Sequence, residues 1–136
     1  MSVRSGYDST SGLNPENVMF PMGLLVAMRP YNKRGKSWHT GIHGSRLRIG
    51  TAPDQHIVLT DDPYGSRFHA EVWLDLDPDK LGEPQFFLAD MNSTNGTYII
   101  PHNEETKYRV TEKMRLHEND EILIGQHVFI FKVIPV

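Results

Sequence analysis

Short apolar runs separated by Gly, Pro, Asn and Asp fill the chain from Met19 onward. In the stretch "FHAEVWLDL", apolar residues occupy every second position from Phe68 to Leu76, so one face of an extended segment is apolar. The opposite face carries another set of side chains: His69, Glu71, Trp73 and Asp75. This period of two predicts a β-strand with one buried face.

Eight further runs have the length and composition of strands. They are "GLLVAM", "SRLRIG", "HIVLT", "PQFFLAD", "GTYII", "KYRVT", "EILIG" and "HVFIFKVIPV". Many short strands with turn signals between them predict an all-β fold, either an antiparallel sandwich or a barrel. No window sustains the apolar stripe of a helix, and "VTEKMRL" is too short to count as one, so helix content should be low. The polar stretches "RPYNKRGKSWHTGIHGS" and "DPDKLGEP" are predicted to be loops.

The length of 136 residues fits one domain. Residues 1–18 are poor in apolar side chains and are predicted to be a flexible tail, which leaves residues 19–136 as the folded domain. The 14 Lys and Arg residues against 17 Asp and Glu residues give a net charge of −3. This charge disfavours a general surface for nucleic acid or for an anionic membrane.

Features of secretion and membrane insertion are missing from the sequence. There is no cysteine, which excludes disulfides, thiolate nucleophiles and cysteine metal sites. No stretch approaches the ~20 apolar residues of a membrane span, and "MSVRSGYDSTSG" lacks the apolar run of a signal peptide. We therefore expect a cytoplasmic protein, and a nuclear location is also compatible with the sequence.

A cluster of neutral hydrogen-bonding side chains follows the apolar run "FFLA": Asn92, Ser93, Thr94, Asn95 and Thr97. Hydroxyls and amides donate and accept hydrogen bonds, but they transfer few protons near neutral pH. Such groups suit holding a ligand better than transforming it. The Asn95-Gly96 pair also predicts a tight hairpin turn, because both residues tolerate positive φ.

Patterns for catalysis and metal binding are incomplete. Ser66, His69 and Asp90 could be combined as a hydrolase triad, but the surrounding "YGSRFH" is not a Gly-x-Ser-x-Gly elbow. His39 and His43 have the spacing of metal ligands on a helix, but the glycines at positions 41 and 44 argue against a helix there. We predict no catalytic residue, no metal and no cofactor.

Four stretches, read in order, resemble a forkhead-associated (FHA) domain: "LRIGTAPDQHIVL", "GSRFHAEV", "FLADMNSTNGTYI" and "RLHENDEILIGQHVFIFKV". The resemblance spans about Gly23 to Val133, and "SRFHA", "STNGT" and "NDEILIG" at this spacing carry most of it. It implies an FHA-type β-sandwich of about eleven mostly antiparallel strands with little helix. It also implies a module that binds phosphothreonine peptides through loops at one end of the sandwich.

The resemblance implies roles for individual residues. Ser66 matches the serine whose hydroxyl contacts the phosphate, and Arg67 stands where a basic or amide side chain reaches the same ligand. Thr94 and Asn95 match the second binding loop, in which Asn95 is expected to hydrogen-bond the peptide backbone. Three further residues are expected to brace these loops: Gly50, His69 and Gly96.

Thr51 departs from the family pattern, which usually has an arginine directly after the glycine of the "IG" step to pair with the phosphate. Losing one charge-assisted hydrogen bond weakens binding by about 10- to 100-fold. Strand alternation should turn Arg46 and Arg48 away from Thr51. The candidate replacement cations lie on loops: Arg67, Lys33, Arg34 and Lys36.

Two functions stand as alternatives. The first is a non-catalytic signalling module that recruits a phosphothreonine-containing protein or peptide, with Thr10 of its own tail as a further candidate ligand. The second is a degenerate FHA domain that mediates phosphorylation-independent interaction or dimerisation. An enzyme is not expected, and neither nucleic acid nor a membrane is expected as a partner.

Overall fold

Eleven β-strands form two sheets in the part of the chain that the computed structural model describes, residues 21–40, 45–75 and 84–135. In chain order they are β1 (Met22–Arg29), β2 (Ser37–His39), β3 (Leu47–Gly50), β4 (Ile57–Val58), β5 (Ala70–Asp75), β6 (Gln85–Asp90), β7 (Thr97–Ile100), β8 (Tyr108–Arg109), β9 (Met114–Leu116), β10 (Glu121–Ile124) and β11 (His127–Ile134). The six-stranded sheet has the order β2-β1-β11-β10-β7-β8, and the five-stranded sheet has the order β4-β3-β5-β6-β9. The predicted all-β sandwich is confirmed.

Two other features agree with the predicted fold class. Within the described residues, helix is limited to a 3-10 turn at Tyr31–Lys33, and none is long and apolar enough to cross a membrane. The strand pairs are antiparallel except β3 with β4, which run parallel. The predicted tail with Thr10, the proposed start at Met19 and His43 all lie outside the described residues.

Apolar side chains from both sheets meet between them and form the core. Leu25 of β1 and Phe131 of β11 are fully buried on one side, and Val72 of β5 and Leu88 of β6 are fully buried on the other. Each such side chain contributes roughly 1.5 to 3 kcal/mol when it leaves water. Phe86 crosses to the opposite sheet and meets Phe131 edge-on, with the ring centroids 5.2 Å apart. The core therefore provides a rigid support for the loops.

Two strands were not predicted. β2 lies in the polar stretch predicted to be a loop, but it pairs with β1 because Trp38 packs against the core with its ring 6.1 Å from that of Phe129. β9 lies within "VTEKMRL", where it pairs with β6 and buries Leu116. In both strands one or two apolar side chains packed on the core hold a short edge strand, Trp38 in β2 and Met114 with Leu116 in β9. So few apolar residues are too weak a pattern to predict a strand from sequence.

The predicted face alternation is wrong at the start of β5. Phe68 is 54% exposed and His69 is fully buried, the reverse of the prediction. Regular extended structure begins only at Ala70, from which Val72 and Leu74 point inward as expected. The two residues before the strand belong to a loop, so their side-chain directions follow loop hydrogen bonds rather than a period of two.

The strand register brings five connecting segments to one end of the sandwich. Ala70 at the start of β5 pairs with Asp90 at the end of β6, and Thr97 at the start of β7 pairs with Ile124 at the end of β10. The bulged end of β1 at Arg29 faces the start of β11. The segments at this end are residues 30–36, 51–56, 59–69, 91–96 and 125–126.

The connection that contains Asn95-Gly96 is not the predicted hairpin turn. It leads from β6 in the five-stranded sheet to β7 in the six-stranded sheet, and these strands are not paired. Positive φ occurs at Gly96, as expected, and at Asn92 rather than Asn95. The polar cluster therefore bridges the two sheets at the end where the other loops meet.

Candidate functional site

Three segments meet around Ser66: the first loop (residues 51–56), the second loop (59–69) and the third loop (91–96). The N–H of Thr51 donates to the Ser66 carbonyl over 2.9 Å, and the N–H of Thr94 donates to Ser66 Oγ over 3.1 Å. The N–H of Ser66 donates to His69 Nδ1 over 3.0 Å. Among the contacts of the described residues, the hydroxyl proton of Ser66 is the group left to donate to a ligand.

His69 connects the second and third loops from a fully buried position. Its Nδ1 accepts the hydrogen bond from Ser66, so the proton of a neutral ring lies on Nε2, which donates to the Gly96 carbonyl over 2.9 Å. The backbone of His69 adds two bonds, because its N–H donates to Ile49 over 2.9 Å and its carbonyl accepts from Met91 over 2.8 Å. One residue therefore fixes the distance between both loops and β3.

The carboxylate of Asp90 holds the third loop in shape. It accepts hydrogen bonds from the Ser93 N–H at 3.0 Å and from the hydroxyls of Ser93 and Thr97, both at 2.6 Å. Burial raises the pKa of the Asp90 carboxyl, but these hydrogen bonds outweigh burial and hold the pKa below its ordinary value. Ser93 Oγ also accepts from the Gly96 N–H over 2.9 Å. This network leaves Thr94 and Asn95 exposed at the loop tip.

The side chain of Asn95 ties the third loop to the second. Its Nδ2 donates to the Tyr64 carbonyl over 2.9 Å. An amide has two N–H donors and a carbonyl oxygen, so one such bond leaves a donor and an acceptor with which Asn95 can meet a ligand. Ser66 lies close to Asn95 as well, because its Oγ accepts a hydrogen bond from the N–H of Thr94, the residue before Asn95.

Gly50 allows β3 to pass close to the second loop. A Cβ on this glycine would lie 2.0 Å from the Arg67 carbonyl oxygen, which is backbone and cannot turn aside. Thr51 follows and is half-buried, with its methyl carbon beside Gly65. The first loop contributes a small neutral side chain at position 51, where the resemblance noted in the sequence implies a cation.

The predicted replacement cations occupy different places. Arg67 is exposed next to Ser66, with its guanidinium 6.0 Å from the Phe68 ring centroid. The other three belong to the connection between β1 and β2 at the same end: Lys33, Arg34 and Lys36. Arg46, which was predicted to point away from Thr51, is engaged elsewhere, because its guanidinium lies 4.0 Å above the Trp73 ring and 3.1 Å from Glu71.

Asp62 joins the second loop to the β10–β11 turn. Its Oδ2 accepts from the Gln126 N–H at 2.8 Å and from His127 Nδ1 at 2.7 Å, and its Oδ1 accepts from the Tyr64 N–H at 3.0 Å. Burial raises the pKa of Asp62, but the hydrogen bonds from His127, Gln126 and Tyr64 leave it below its ordinary value. A Cβ on Gly125 would lie 2.4 Å from Asp62 Oδ2, so the turn needs a glycine to approach this closely.

The sequence model of the FHA domain family matches residues 47–125, more than half of the chain. The chain belongs to the FHA domain family. The matched region contains β3 to β10 and all of the loop residues that surround Ser66.

Solved FHA domains share the fold of this one. A structure studied for phosphothreonine-dependent FHA domain interactions is 24% identical, with 85% of this chain and 99% of that chain covered and a TM-score of 0.62. Mycobacterium tuberculosis EmbR in complex with a low affinity phosphopeptide is 23% identical, with 90% and 27% covered and a TM-score of 0.62. An Arabidopsis thaliana FHA domain is 20% identical, with 96% and 95% covered and a TM-score of 0.65. Comparison with curated proteins gave no match.

Arg109 lies against the third loop of this FHA domain, a contact that the sequence did not reveal. A Cβ on Gly96 would lie 3.1 Å from the Arg109 guanidinium carbon, so the guanidinium packs directly on the third loop. Asp62 was also missed, although the Asp-Pro-x order is a known start for the turn that its side chain makes with Tyr64. The contacts of Arg109 with Gly96 and of Asp62 with the β10–β11 turn join residues far apart in sequence, and such contacts leave no local sequence pattern.

Neutral hydrogen-bonding groups dominate the assembled site. In the part of the chain that the structure describes, the nearby His69 and Asp90 are already engaged, because both ring nitrogens of His69 bind backbone groups and Asp90 binds the third loop. The described residues contain no group of three His, Asp or Glu side chains able to hold a metal ion. What remains is a set of hydroxyl and amide donors with Arg67 beside them.

Proposed function

We propose that this FHA domain binds a phosphothreonine-containing segment and so recruits the protein that carries it, without catalysing a reaction. The Ser66 hydroxyl carries this proposal, because its oxygen accepts the Thr94 N–H and its proton is left for an incoming acceptor. A phosphothreonine brings a charge of about −1.5 to −2 and three strong acceptor oxygens. Hydroxyl donors with an adjacent cation match those oxygens.

In the proposed complex, Ser66, Thr94 and Arg67 contact the phosphate, and Asn95 contacts the peptide backbone with its remaining amide groups. Thr51 lies next to the phosphate as a neutral contact. Gly50, His69 and Gly96 hold the loops at their observed separations and do not touch the ligand. Similar folds that support this proposal include an FHA domain studied for phosphothreonine-dependent interactions and EmbR with its phosphopeptide.

A titration with a degenerate phosphothreonine peptide library and its unphosphorylated counterpart tests the proposal. We expect the protein to bind only the phosphorylated set, and Asn95→Ala to weaken that binding by about 10-fold through the loss of a neutral hydrogen bond and of the contact with Tyr64. The control is Asn32→Ala, at an exposed position of the 3-10 turn. Equal binding of both peptide sets would support the phosphorylation-independent interaction module instead.

Thr51→Arg should tighten phosphopeptide binding by about 10-fold. The substitution adds a charge-assisted hydrogen bond of roughly 1.5 to 3 kcal/mol, part of which is offset by ordering the long side chain. The matched control is Thr106→Arg, which adds the same charge at an exposed position near the opposite end of the sandwich. Isothermal titration of both variants with the same phosphopeptide measures whether the gain in affinity is specific to position 51. Equal gains in both would show a long-range charge effect rather than a new contact at position 51.

A further inference from the structure

The segment between β1 and β2 carries an unusual concentration of positive charge. Residues 29–36 contain four cations and no acidic residue: Arg29, Lys33, Arg34 and Lys36. The imbalance is wider than this loop, because no Asp or Glu occurs from residue 17 to residue 53 in a chain whose net charge is −3. Within the described residues, none of these four cations forms a salt bridge. The charge of this loop is therefore available to a partner.

The same segment forms one wall of a groove of about 740 Å³, and the β10–β11 turn forms the other wall. The lining residues are Met28, Arg29, Pro30, Tyr31, Arg34 and Gln126. Tyr31 lies between Arg29 and Arg34 in sequence and is 82% exposed, so its aromatic ring is accessible to a ligand in the groove. A groove lined by two arginines, an exposed aromatic ring and the side chains of Met28 and Pro30 suits an extended acidic peptide.

Three hydrogen bonds in series join this groove to the site around Ser66. The N–H of Gln126 donates to Asp62 over 2.8 Å, Asp62 accepts from the Tyr64 N–H over 3.0 Å, and the Tyr64 carbonyl accepts from Asn95 over 2.9 Å. The groove and the Ser66 site therefore lie at the same end of the sandwich, and a single extended peptide, which advances about 3.3 Å per residue, is the form of ligand that would contact both.

We propose that this groove is a second binding surface for an acidic tract, rich in Asp and Glu, on the same partner segment that carries the phosphothreonine. The inference rests on the proposed function of the Ser66 site and adds to it a preference for an acidic flank. It gives Arg34 a different role from the one predicted from sequence, in which Lys33, Arg34 and Lys36 replace the missing phosphate contact. Here Arg29 and Arg34, the cations that line the groove, bind carboxylates outside the phosphate site.

The test compares phosphothreonine peptides that carry either a Glu-rich or a Gln-rich tract. Each tract is placed once before and once after the phosphothreonine. We expect the Glu-rich peptide to bind about 5- to 10-fold more tightly at low salt, as two to three surface charge pairs would give, and the difference to shrink as salt rises. Arg29→Gln/Arg34→Gln should remove this preference and leave the affinity for the Gln-rich peptide within about twofold.

The matched control is Lys107→Gln/Arg115→Gln, which removes two exposed charges outside the groove and should keep the preference. Equal affinity of the wild-type protein for both peptides would overturn the inference and leave the proposed function intact. Failure to bind either phosphopeptide would overturn the proposed function and the inference together. Displacement of the Glu-rich peptide by single-stranded RNA or phosphatidylserine vesicles at equal total charge would also overturn the inference. It would show that the groove binds anions in general rather than an acidic peptide.

Discussion

Asp62→Ala is expected to lower the free energy of unfolding by about 3 to 5 kcal/mol, because each donor left without its acceptor costs roughly 1 to 3 kcal/mol. The Asp62 side chain is fully buried and that of His127 is 5% exposed. Without the carboxylate, three donors lose their acceptor: His127 Nδ1 and the N–H groups of Gln126 and Tyr64. Water cannot easily replace it, because Gly125 packs against the carboxylate.

Urea unfolding followed by circular dichroism measures this effect through the transition midpoint at an unchanged slope. Glu112→Ala removes an exposed carboxylate and should change the free energy of unfolding by less than about 0.5 kcal/mol. The double substitution Asp62→Ala/His127→Leu should cost less than the sum of the two single ones, because the His127 imidazole is then no longer left without its acceptor, whereas the N–H groups of Gln126 and Tyr64 still are. A loss below about 1 kcal/mol for Asp62→Ala would show that water replaces the carboxylate as the acceptor of these donors in solution.

Ser66→Ala is expected to weaken phosphothreonine peptide binding by about 100-fold. The substitution removes a donor to a charged phosphate, and it also removes the acceptor that holds the N–H of Thr94 at 3.1 Å. Both losses act on the ligand site, whereas the backbone bonds of Ser66 to Thr51 and His69 are kept. The fold should therefore be preserved, and the free energy of unfolding should fall by no more than about 1 kcal/mol.

Fluorescence anisotropy with one labelled phosphopeptide gives the affinity, and thermal unfolding of the same samples shows that the variant is folded. Ser37→Ala is the matched control, because Ser37 is an exposed serine on β2. An unchanged affinity in Ser66→Ala, with the protein folded, would place the phosphate elsewhere. The Arg109 guanidinium against Gly96 would then be the next candidate contact.

The sequence predicts the long strands well and the short ones poorly, for a physical reason. β1 and β11 each span eight residues, and their alternating apolar side chains reveal the buried face. β2 and β9 have three residues each, and each is held by a neighbouring strand and by one or two apolar side chains packed on the core. A strand whose stability comes mainly from its partner leaves almost no pattern of its own.

The site is predictable to the same extent. The polar side chains of Ser66, Thr94 and Asn95 lie in short motifs that can be read from the sequence, and the structure brings them together. The residues that hold these motifs cannot be read in this way. Asp62 and His127 are 65 positions apart, and Arg109 reaches Gly96 from another strand. Their partners are set by the strand register, which exists only after the two sheets have formed.

The double hydrogen bond of His69 has a consequence for the thermodynamics of recognition. Since the imidazole already spans the second and third loops, the proposed peptide site is organised before a ligand arrives. In the proposed complex, the conformational entropy lost on binding then falls mainly on the peptide, and little of the favourable binding free energy is offset by ordering the protein. A preorganised receptor of this kind favours fast association, so differences in affinity between related peptides reside mainly in their dissociation rates.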